Sequence, residues 1–356
     1  MAKSFIRDRL PYEKVQERFR EDFYLPISVG FISDCIKDAH SQFNELDRIE
    51  WMKQVFSGIL CIDELHDSGR VFLYATDPLN DFTVDFAVND KNDQQSMNIF
   101  LQQIKDKGIT PEVVITDGSP LYKDDLVKIW KGVSHQLCVF HVIKDVNKCI
   151  LKELRRIKNN ISKKGNKGRK KKRGKPSKST QYQRNKRDYM TLKEQAAFIW
   201  EHQYLIVRKS ETLTKEDKKN LAILYEISSD IKILREFSQE FYALLSKEIS
   251  PRQARYRWTR LMGRKKYKGF THLENALKKL SKDKFEKMIV HLYYENVDRT
   301  SNHVERHNRS FRMLQKTRYK HRRLKNIIMI IELHLLRQMK KHQEEYDYEK
   351  LIQMVA

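Results

Sequence analysis

Three acidic residues have the spacing and surroundings of carboxylates that bind metal ions for phosphoryl-transfer chemistry. Asp63 closes an apolar stretch over 57–63, and Asp117 closes another over 113–117. Glu305 lies 188 positions further on, in the run Asn-His-Val-Glu-Arg-His-Asn. Carboxylates at the ends of buried strands are costly unless a partner neutralises them, and a divalent cation is the usual partner.

Each acid also has an ordinary structural explanation. Asp63 is typical of a turn at a strand end, and Glu64 competes for its role because adjacent strand residues face opposite sides. The Asp117-Gly118 pair is typical of a turn. Glu305 is the third residue of a capping box if Asn302 caps its helix. The three acids therefore have to be considered together, in the fold that their elements predict.

Residues 55–150 alternate between strand-like and helix-like patterns in a specific order. The predicted strands cover 57–63, 70–76, 82–88, 112–116 and 135–140. Helices are predicted over 120–131 and 141–158, and before them one that ends at Gly108 and has Met97, Phe100, Leu101 and Ile104 on one face. The order β-β-β-α-β-α-β-α is that of an RNase H-like fold, an α/β fold built on a mixed sheet. In that topology the first strand is central and the strand after the first helix lies beside it.

This topology predicts that Asp63 and Asp117 are spatial neighbours, which repel each other unless cations lie between them. Two Mg²⁺ ions roughly 4 Å apart would activate water or a 3′-hydroxyl and stabilise the departing oxygen. A helix predicted over 301–315 supplies the third carboxylate. Its polar face holds Glu305, Asn308, Arg309 and Arg312, and its buried face holds Val304, Phe311 and Leu314.

Composition indicates a polyanionic partner. The chain has 71 Lys and Arg against 47 Asp and Glu, a net charge of +24, which favours nucleic acid first and an anionic membrane surface second. No apolar run approaches the roughly 18 residues of a membrane span, and the first residues form no signal-peptide core, so we expect no membrane partner. The four cysteines form no CxxC pair, which is typical of a reducing, intracellular setting.

Two basic stretches are candidate DNA contacts. Residues 163–187 hold 13 Lys or Arg and no acid, so this segment is either a phosphate-binding strap or a solvated linker. Its candidate contacts are Lys170, Lys171, Lys172 and Arg173. The second stretch, 252–260, mixes basic and aromatic residues and contributes Arg255 and Arg257, although such a pattern is also typical of a solvated helix face. Arg309 and Arg312 complete the set.

The chain divides into regions by composition and pattern. Residues 11–46 predict two helices with a break at Leu25-Pro26 and with Ser28 capping the second, the outline of either a helix-turn-helix DNA reader or an ordinary helical hairpin. We predict a short helical region over 1–50, the first part of the RNase H-like core over 52–158, a disordered basic linker over 159–188, a large α-helical insertion over 189–295, and C-terminal helices over 296–356 that complete the core.

Four motifs carry a family resemblance. They are Cys61-Ile-Asp63-Glu64, Val114-Ile-Thr-Asp117-Gly118-Ser119, Cys138-Val-Phe-His141 and Ser301-Asn302-His-Val-Glu305-Arg306-His-Asn308-Arg309. In combination they resemble the DDE transposases, specifically the Mutator-like group and its bacterial insertion-sequence relatives, over residues 52–315. In this family a long helical insertion separates the second Asp from the Glu, as the 158–290 stretch does here.

The resemblance implies that Asp63, Asp117 and Glu305 bind two Mg²⁺ ions, which Mn²⁺ can replace. The expected activity is nicking at transposon ends followed by attack of the freed 3′-hydroxyl on target DNA, in a homodimer or larger synaptic complex. A prokaryotic host would place the protein in the cytoplasm with the nucleoid, and a eukaryotic host in the nucleus. Cys138 and His141 match the family's Cys/His pair, which is half a zinc site, so we expect a structural or DNA-contacting role.

One departure from the family bears on activity. Relatives often carry a fuller DNA-binding region before the catalytic domain, whereas about 50 residues precede it here. This difference predicts either a short form of the enzyme or a truncated copy, with reduced recognition of transposon ends.

Three other functions remain open from the sequence. The chain could be a decayed or domesticated copy that binds DNA without transposing, a nuclease of RNase H-like fold acting on hybrids or junctions, or a non-enzymatic basic protein that binds RNA. The large insertion and the basic segment argue against the nuclease, because such enzymes are usually compact. Inverted repeats flanking the gene would favour an active transposase.

Overall fold

The computed structural model describes the chain except residues 1–3, 6, 9, 68, 123–124, 167–189, 247, 317–322 and 356, and it leaves out the side chains of 164–166, 311, 313–316 and 345–355. The chain forms two compact units, one built from 1–138 with 296–356 and the other from 139–295. The helix over 139–166, which the sequence places with the core up to residue 158, belongs to the second unit. No helix in the described part of the chain has the length and apolar character needed to cross a bilayer.

A five-stranded mixed sheet forms the centre of the first unit. Its strands are β1 (Ile59–Asp67), β2 (Arg70–Asp77), β3 (Phe82–Asn89), β4 (Val113–Thr116) and β5 (Ser134–Leu137). The order across the sheet is β3-β2-β1-β4-β5, with antiparallel pairing among the first three strands and parallel pairing of β1 with β4 and of β4 with β5. The α/β class and the central position of β1 beside β4 are confirmed, while the RNase H-like assignment stays a prediction.

The first unit also contains helices before, between and after these strands in the sequence. They are α1 (Tyr12–Phe23), α2 (Val29–Ser41), α3 (Glu45–Val55), α4 (Gln94–Asp106), α5 (Asp125–Ile129), α13 (Asn302–Lys316) and α14 (Leu324–Val355). The side chain of Ser28 accepts a hydrogen bond from the Phe31 amide, which confirms it as the cap of α2. Of the helix expected over 120–131, the described residues form the short α5.

One face of the sheet packs against α3 and α4. Leu60, Ile62 and Val114 point to this face and meet Phe100 and Ile104 of α4, whose four-residue spacing places them on one side of the helix. All five side chains are buried. Alternation along β1 therefore leaves Cys61 and Asp63 on the opposite face, together with their neighbours on β4.

The N-terminal helices pack on the C-terminal helix. Val15 of α1 and Ile32 and Ile36 of α2 form a buried cluster with Ile330 and Leu333 of α14. At its edge, His40 Nε2 lies 2.6 Å from a carboxylate oxygen of Glu332. A helix-turn-helix function for α1 and α2 stays a prediction, because packing on α14 is equally compatible with a helical hairpin.

The second unit is helical. Its α-helices are α6 (Val139–Asn166), α7 (Leu192–Glu201), α8 (Lys215–Ile227), α9 (Ser229–Leu244), α10 (Pro251–Met262), α11 (Thr271–Lys279) and α12 (Lys282–Met288), with short 3₁₀ helices at Gln203–Ile206, Ser210–Thr212, Lys265–Tyr267 and Val290–Leu292. Leu221, Leu224, Ile231, Leu234 and Phe241 are buried, as their three- to four-residue spacing predicts.

Candidate active site

The parallel pairing of β1 with β4 makes Asp63 and Asp117 neighbours. Cys61 of β1 is paired with Ile115 of β4, and each acid lies two residues beyond its member of that pair, Asp63 within β1 and Asp117 just after β4. Asp63 does not end its strand as the apolar stretch suggests, because β1 continues to Asp67 and stays paired with β2 from Cys61 to Asp67. Asp117 directly follows the last residue of β4.

Asn308 joins Asp63 to α13. Its Nδ2 donates a hydrogen bond of 2.8 Å to Oδ2 of Asp63. Asn308 is 6% exposed, so it lies on the buried side of α13 with Val304 rather than on the polar side expected from the sequence. The bond fixes the position of α13 against β1 and the orientation of the Asp63 carboxylate.

Glu305 lies one helical turn before Asn308. Residues three apart on a helix share a face, so Glu305 is adjacent to the side of α13 that contacts Asp63. The Glu305 amide donates to the Ser301 carbonyl at 3.2 Å, which makes Ser301 the residue before the helix and Glu305 its fourth residue. A capping box between Asn302 and Glu305 is therefore wrong for this helix.

Asp117 occupies a turn with defined hydrogen bonds. The Ser119 amide donates to Asp117 Oδ1 at 2.8 Å, and Gly118 has φ +82°, a left-handed conformation that favours glycine. A Cβ atom at Gly118 would lie 3.1 Å from Leu137 Cδ2. The turn reading of Asp117-Gly118 is thus confirmed, and the same turn holds the Asp117 carboxylate beside β1.

Glu64 lies on the opposite face of β1 from Asp63. Burial, followed by the negative charges of Asp117 and Asp63, raises the pKa of Glu64 to about 7. Burial and then the charges of Glu64 and Asp117 also raise the pKa of Tyr122 well above its usual value. Asn92 Nδ2 donates to Oε2 of Glu64 at 3.5 Å, and the buried Tyr122 hydroxyl also interacts with the Glu64 carboxylate.

A match to a protein family shows the family to which the chain belongs. The sequence profile of a transposase family, the ISL3 group of DDE transposases, matches residues 60–331, which include Asp63, Asp117 and Glu305. The chain belongs to this transposase family. No curated protein matches the chain. Membership implies DNA as the substrate and a divalent metal as the cofactor, while the Mutator-like label stays a prediction.

The structure of this transposase does not gather the three carboxylates into one tight metal-ligand group. Within the described residues, one group of three His, Cys, Asp or Glu side chains has all its ligand atoms within 4.8 Å of one another. That set is Asp81, His303 and His307. None of the three residues was predicted as a ligand, although two histidines four residues apart on a helix are a recognisable ligand spacing.

Cys138 ties β5 to the start of α13. The thiol is buried, and Sγ accepts a hydrogen bond of 3.2 Å from the Ser301 amide. The Cys138 amide donates to the Thr116 carbonyl at 2.7 Å, immediately before Asp117. These contacts support the expected structural role of Cys138 in the transposase. His141 lies in α6 of the second unit.

The predicted DNA-binding arginines differ in their surroundings. Arg309 and Arg312 are exposed on α13. Arg255 donates to both carboxylate oxygens of Glu286, with Nη2 at 2.7 Å, and Arg257 Nη1 donates to the Ala243 carbonyl at 2.6 Å. Both guanidinium groups thus have partners within the transposase, and their DNA contacts stay a prediction.

The other predicted DNA contacts belong to the basic segment over 163–187. Lys170, Lys171, Lys172 and Arg173 lie outside the described residues. A basic–aromatic surface lies where α6 meets α7, and it was not predicted from the sequence. The cationic groups of Arg155 and Lys158 lie 5.4 and 4.7 Å from the ring centre of the half-exposed Trp200.

Proposed function

We propose that this transposase nicks DNA at the ends of a mobile element and joins the freed 3′-hydroxyl to target DNA, with Asp63, Asp117 and Glu305 as its metal-binding carboxylates. The observation that supports this most is the Asn308–Asp63 hydrogen bond. It places the helix that carries Glu305 against the strand that carries Asp63, and the strand register adds Asp117.

The chemistry of these groups suits Mg²⁺. All three candidate ligands are carboxylates, the hard oxygen donors that Mg²⁺ prefers, and Mn²⁺ accepts the same set. Burial is the main cause of the raised pKa of Glu64, and the negative charges of Asp117 and Asp63 add to it. A divalent cation among the carboxylates would offset this repulsion.

When bound, two Mg²⁺ ions would activate the attacking water or 3′-hydroxyl and stabilise the departing oxygen. The protein groups prepare the site for this chemistry. Asn308 holds Asp63, and the Ser119 amide holds Asp117, so both carboxylates are oriented before DNA binds. Arg309 and Arg312, exposed on the same helix as Glu305, are placed to bind DNA phosphates near the reacting bond.

We also propose a role for assembly and for the basic segment. DNA transposition joins two ends to one target, so a homodimer or larger synaptic complex follows from the function. Lys170, Lys171, Lys172 and Arg173 would bind phosphates and add affinity without sequence preference.

The test is nicking and strand transfer by the purified full-length protein, with Mg²⁺ and DNA that carries the sequences flanking its gene. We expect Asp117→Asn to abolish both reactions and to change DNA affinity by less than about 3-fold, since phosphate contacts dominate affinity. Asp90→Asn is the matched control, because Asp90 is an exposed acid at the end of β3.

The outcomes separate the remaining functions. Equal strand transfer by Asp117→Asn and wild type would overturn the catalytic assignment. DNA binding by an inactive wild-type protein would indicate a decayed or domesticated copy. Nicking without end joining would favour a nuclease, and tighter binding to RNA than to DNA would favour the non-enzymatic alternative.

A further inference from the structure

Two histidines and one aspartate converge on a single point beside α13. His303 and His307 are four residues apart on the helix, and Asp81 ends the turn between β2 and β3. His303 Nε2 lies 2.6 Å and His307 Nε2 lies 3.4 Å from the same oxygen, Oδ1 of Asp81. Two imidazole nitrogens and one carboxylate oxygen therefore lie within 4.8 Å of one another, close enough to bind one ion after a small separation of the hydrogen-bonded atoms.

Contacts behind the imidazole rings orient both nitrogens. His303 Nδ1 lies 3.0 Å from Thr76 Oγ1, and His307 Nδ1 lies 3.3 Å from Thr83 Oγ1. A threonine hydroxyl can accept a hydrogen bond from Nδ1–H, which leaves the Nε2 lone pair for a cation. Such a partner on the second ring nitrogen is the usual support of a histidine ligand.

One contact favours the cation-free state. Gln338 Nε2 lies 3.5 Å from His307 Nδ1, and the Thr83 amide donates to Gln338 Oε1 and so fixes the amide orientation. Gln338 can then only donate to Nδ1, which puts the proton of His307 on Nε2. This bond is long, and binding of a cation would exchange it for the shorter contact with Thr83 Oγ1.

We propose that Asp81, His303 and His307 bind one Zn²⁺ ion, which joins the β2–β3 turn to the first turns of α13. Two imidazoles and one carboxylate suit zinc, whereas Mg²⁺ prefers oxygen ligands. Among the described residues no further His, Cys, Asp or Glu belongs to the group, and the Asp81 side chain is 74% exposed. Water therefore completes the coordination.

The ion would act on the position of α13. Glu305 lies between the two histidines in sequence, and Asn308 directly follows His307. Binding would displace the protons shared by the histidines and Asp81. Metal bonds would then replace these hydrogen bonds and hold α13 to the β2–β3 turn. The proposal does not depend on the catalytic roles of the carboxylates.

The experiment titrates Zn²⁺ alone into chelator-stripped, full-length protein in competition with a chromogenic chelator, and it records thermal unfolding in parallel. Asp81→Asn keeps the left-handed backbone of Asp81 (φ +52°), which Asn tolerates. His307→Gln removes the second ligand without opening the buried site of His303. We expect each variant to weaken zinc binding by at least about 10-fold and to lose the rise in melting temperature that zinc gives the wild type.

Matched controls locate the ion. Asp90→Asn removes an exposed acid and His66→Gln an exposed histidine of the same unit, and both should bind zinc like the wild type. Asp117→Asn should also retain the ion. The proposal is overturned if the wild type binds no zinc, if both ligand variants retain it, or if Asp117→Asn loses it.

Discussion

Asp63 depends on a partner 245 positions away in the sequence, the buried amide of Asn308. The bond limits the Asp63 carboxylate to one orientation, and it aligns the helix that carries Glu305. Asn308 touches neither DNA nor the reacting atoms in the proposed mechanism. It is therefore a positioning residue, and its loss should affect metal use more than DNA binding.

We expect Asn308→Ala to slow nicking by about 10- to 100-fold, the range for lost partners of metal ligands, and to raise the Mg²⁺ concentration that gives half-maximal rate. Asn302→Ala, an exposed position on the same helix, is the control and should behave like the wild type. Rates measured across a Mg²⁺ series check this. An unchanged rate and Mg²⁺ dependence for Asn308→Ala would exclude the positioning role.

The candidate site was predictable where it depends on strand patterns. Asp63 and Asp117 follow from apolar stretches that mark paired strands, and their adjacency follows from the strand order. Asn308 and Asp81 could not be found in the same way, because their partners lie 245 and 222 positions away and local pattern does not report such contacts.

At the scale of elements, the turn after β4 sets the direction in which Asp117 points. Gly118 and Gly132 both have positive φ, near +82° and +84°, but their surroundings differ. A Cβ atom at Gly118 would press on Leu137 of β5, whereas nothing lies within 4 Å of one at Gly132. Substitution of Gly132 by Ala therefore tests backbone strain alone, whereas substitution of Gly118 by Ala adds a steric clash.

We expect Gly132→Ala to lower the free energy of unfolding by about 1–2 kcal/mol, the cost of a left-handed conformation for a residue with a Cβ atom. Gly118→Ala should cost more, and it alone should impair nicking, because the clash displaces the turn that holds Asp117. Urea unfolding and nicking rates measure the two effects. Equal stability and equal activity of the variants would contradict a role for this turn.

Element order was predictable, and element ends were less so. The prediction ends β1 at Asp63 because the apolar run stops there, but hydrogen bonding to β2 carries the strand four residues further. Conversely, the described residues of the helix expected over 120–131 form only α5. Residues 117–121 form a turn through side-chain hydrogen bonds of Asp117 and Ser119, and the pattern of apolar residues does not predict such a turn. The packing of α2 on α14 was not predicted, because an amphipathic pattern marks a buried face without naming its partner.

For the whole molecule, the net charge of +24 dominates the expected interaction with DNA. The net charge alone predicts a polyanionic partner, because a polyanion attracts basic residues wherever they lie in the sequence. The groups that contact phosphates cannot be read from composition. Arg255 was predicted among them, and the structure pairs it with Glu286.

We expect replacement of Lys170, Lys171, Lys172 and Arg173 by Ser to weaken DNA binding broadly and to reduce the slope of log affinity against log salt by up to about 3.6, since each phosphate contact contributes about 0.9. Binding measured across a salt series provides the test. Arg255→Gln is the control and should leave the slope nearly unchanged, because its guanidinium group is engaged by Glu286. Equal slopes for the four-residue variant and the wild type would rule out phosphate binding by this segment.

The division into two units was only partly predictable. A change of composition marks the start of the helical insertion, but the assignment of α6 to the second unit depends on its contacts with α7 and α11 rather than on its own sequence. The functional domain boundaries stay a prediction.

The central claim is that Glu305, rather than Glu64, is the third metal-binding carboxylate. The most direct test compares Mg²⁺-dependent nicking by Glu305→Gln and Glu64→Gln on the same DNA ends. We predict a loss of about 1,000-fold or more for Glu305→Gln, as expected when several kcal/mol of charge stabilisation disappear, and less than about 10-fold for Glu64→Gln. Near-normal nicking by Glu305→Gln together with inactivity of Glu64→Gln would contradict the account.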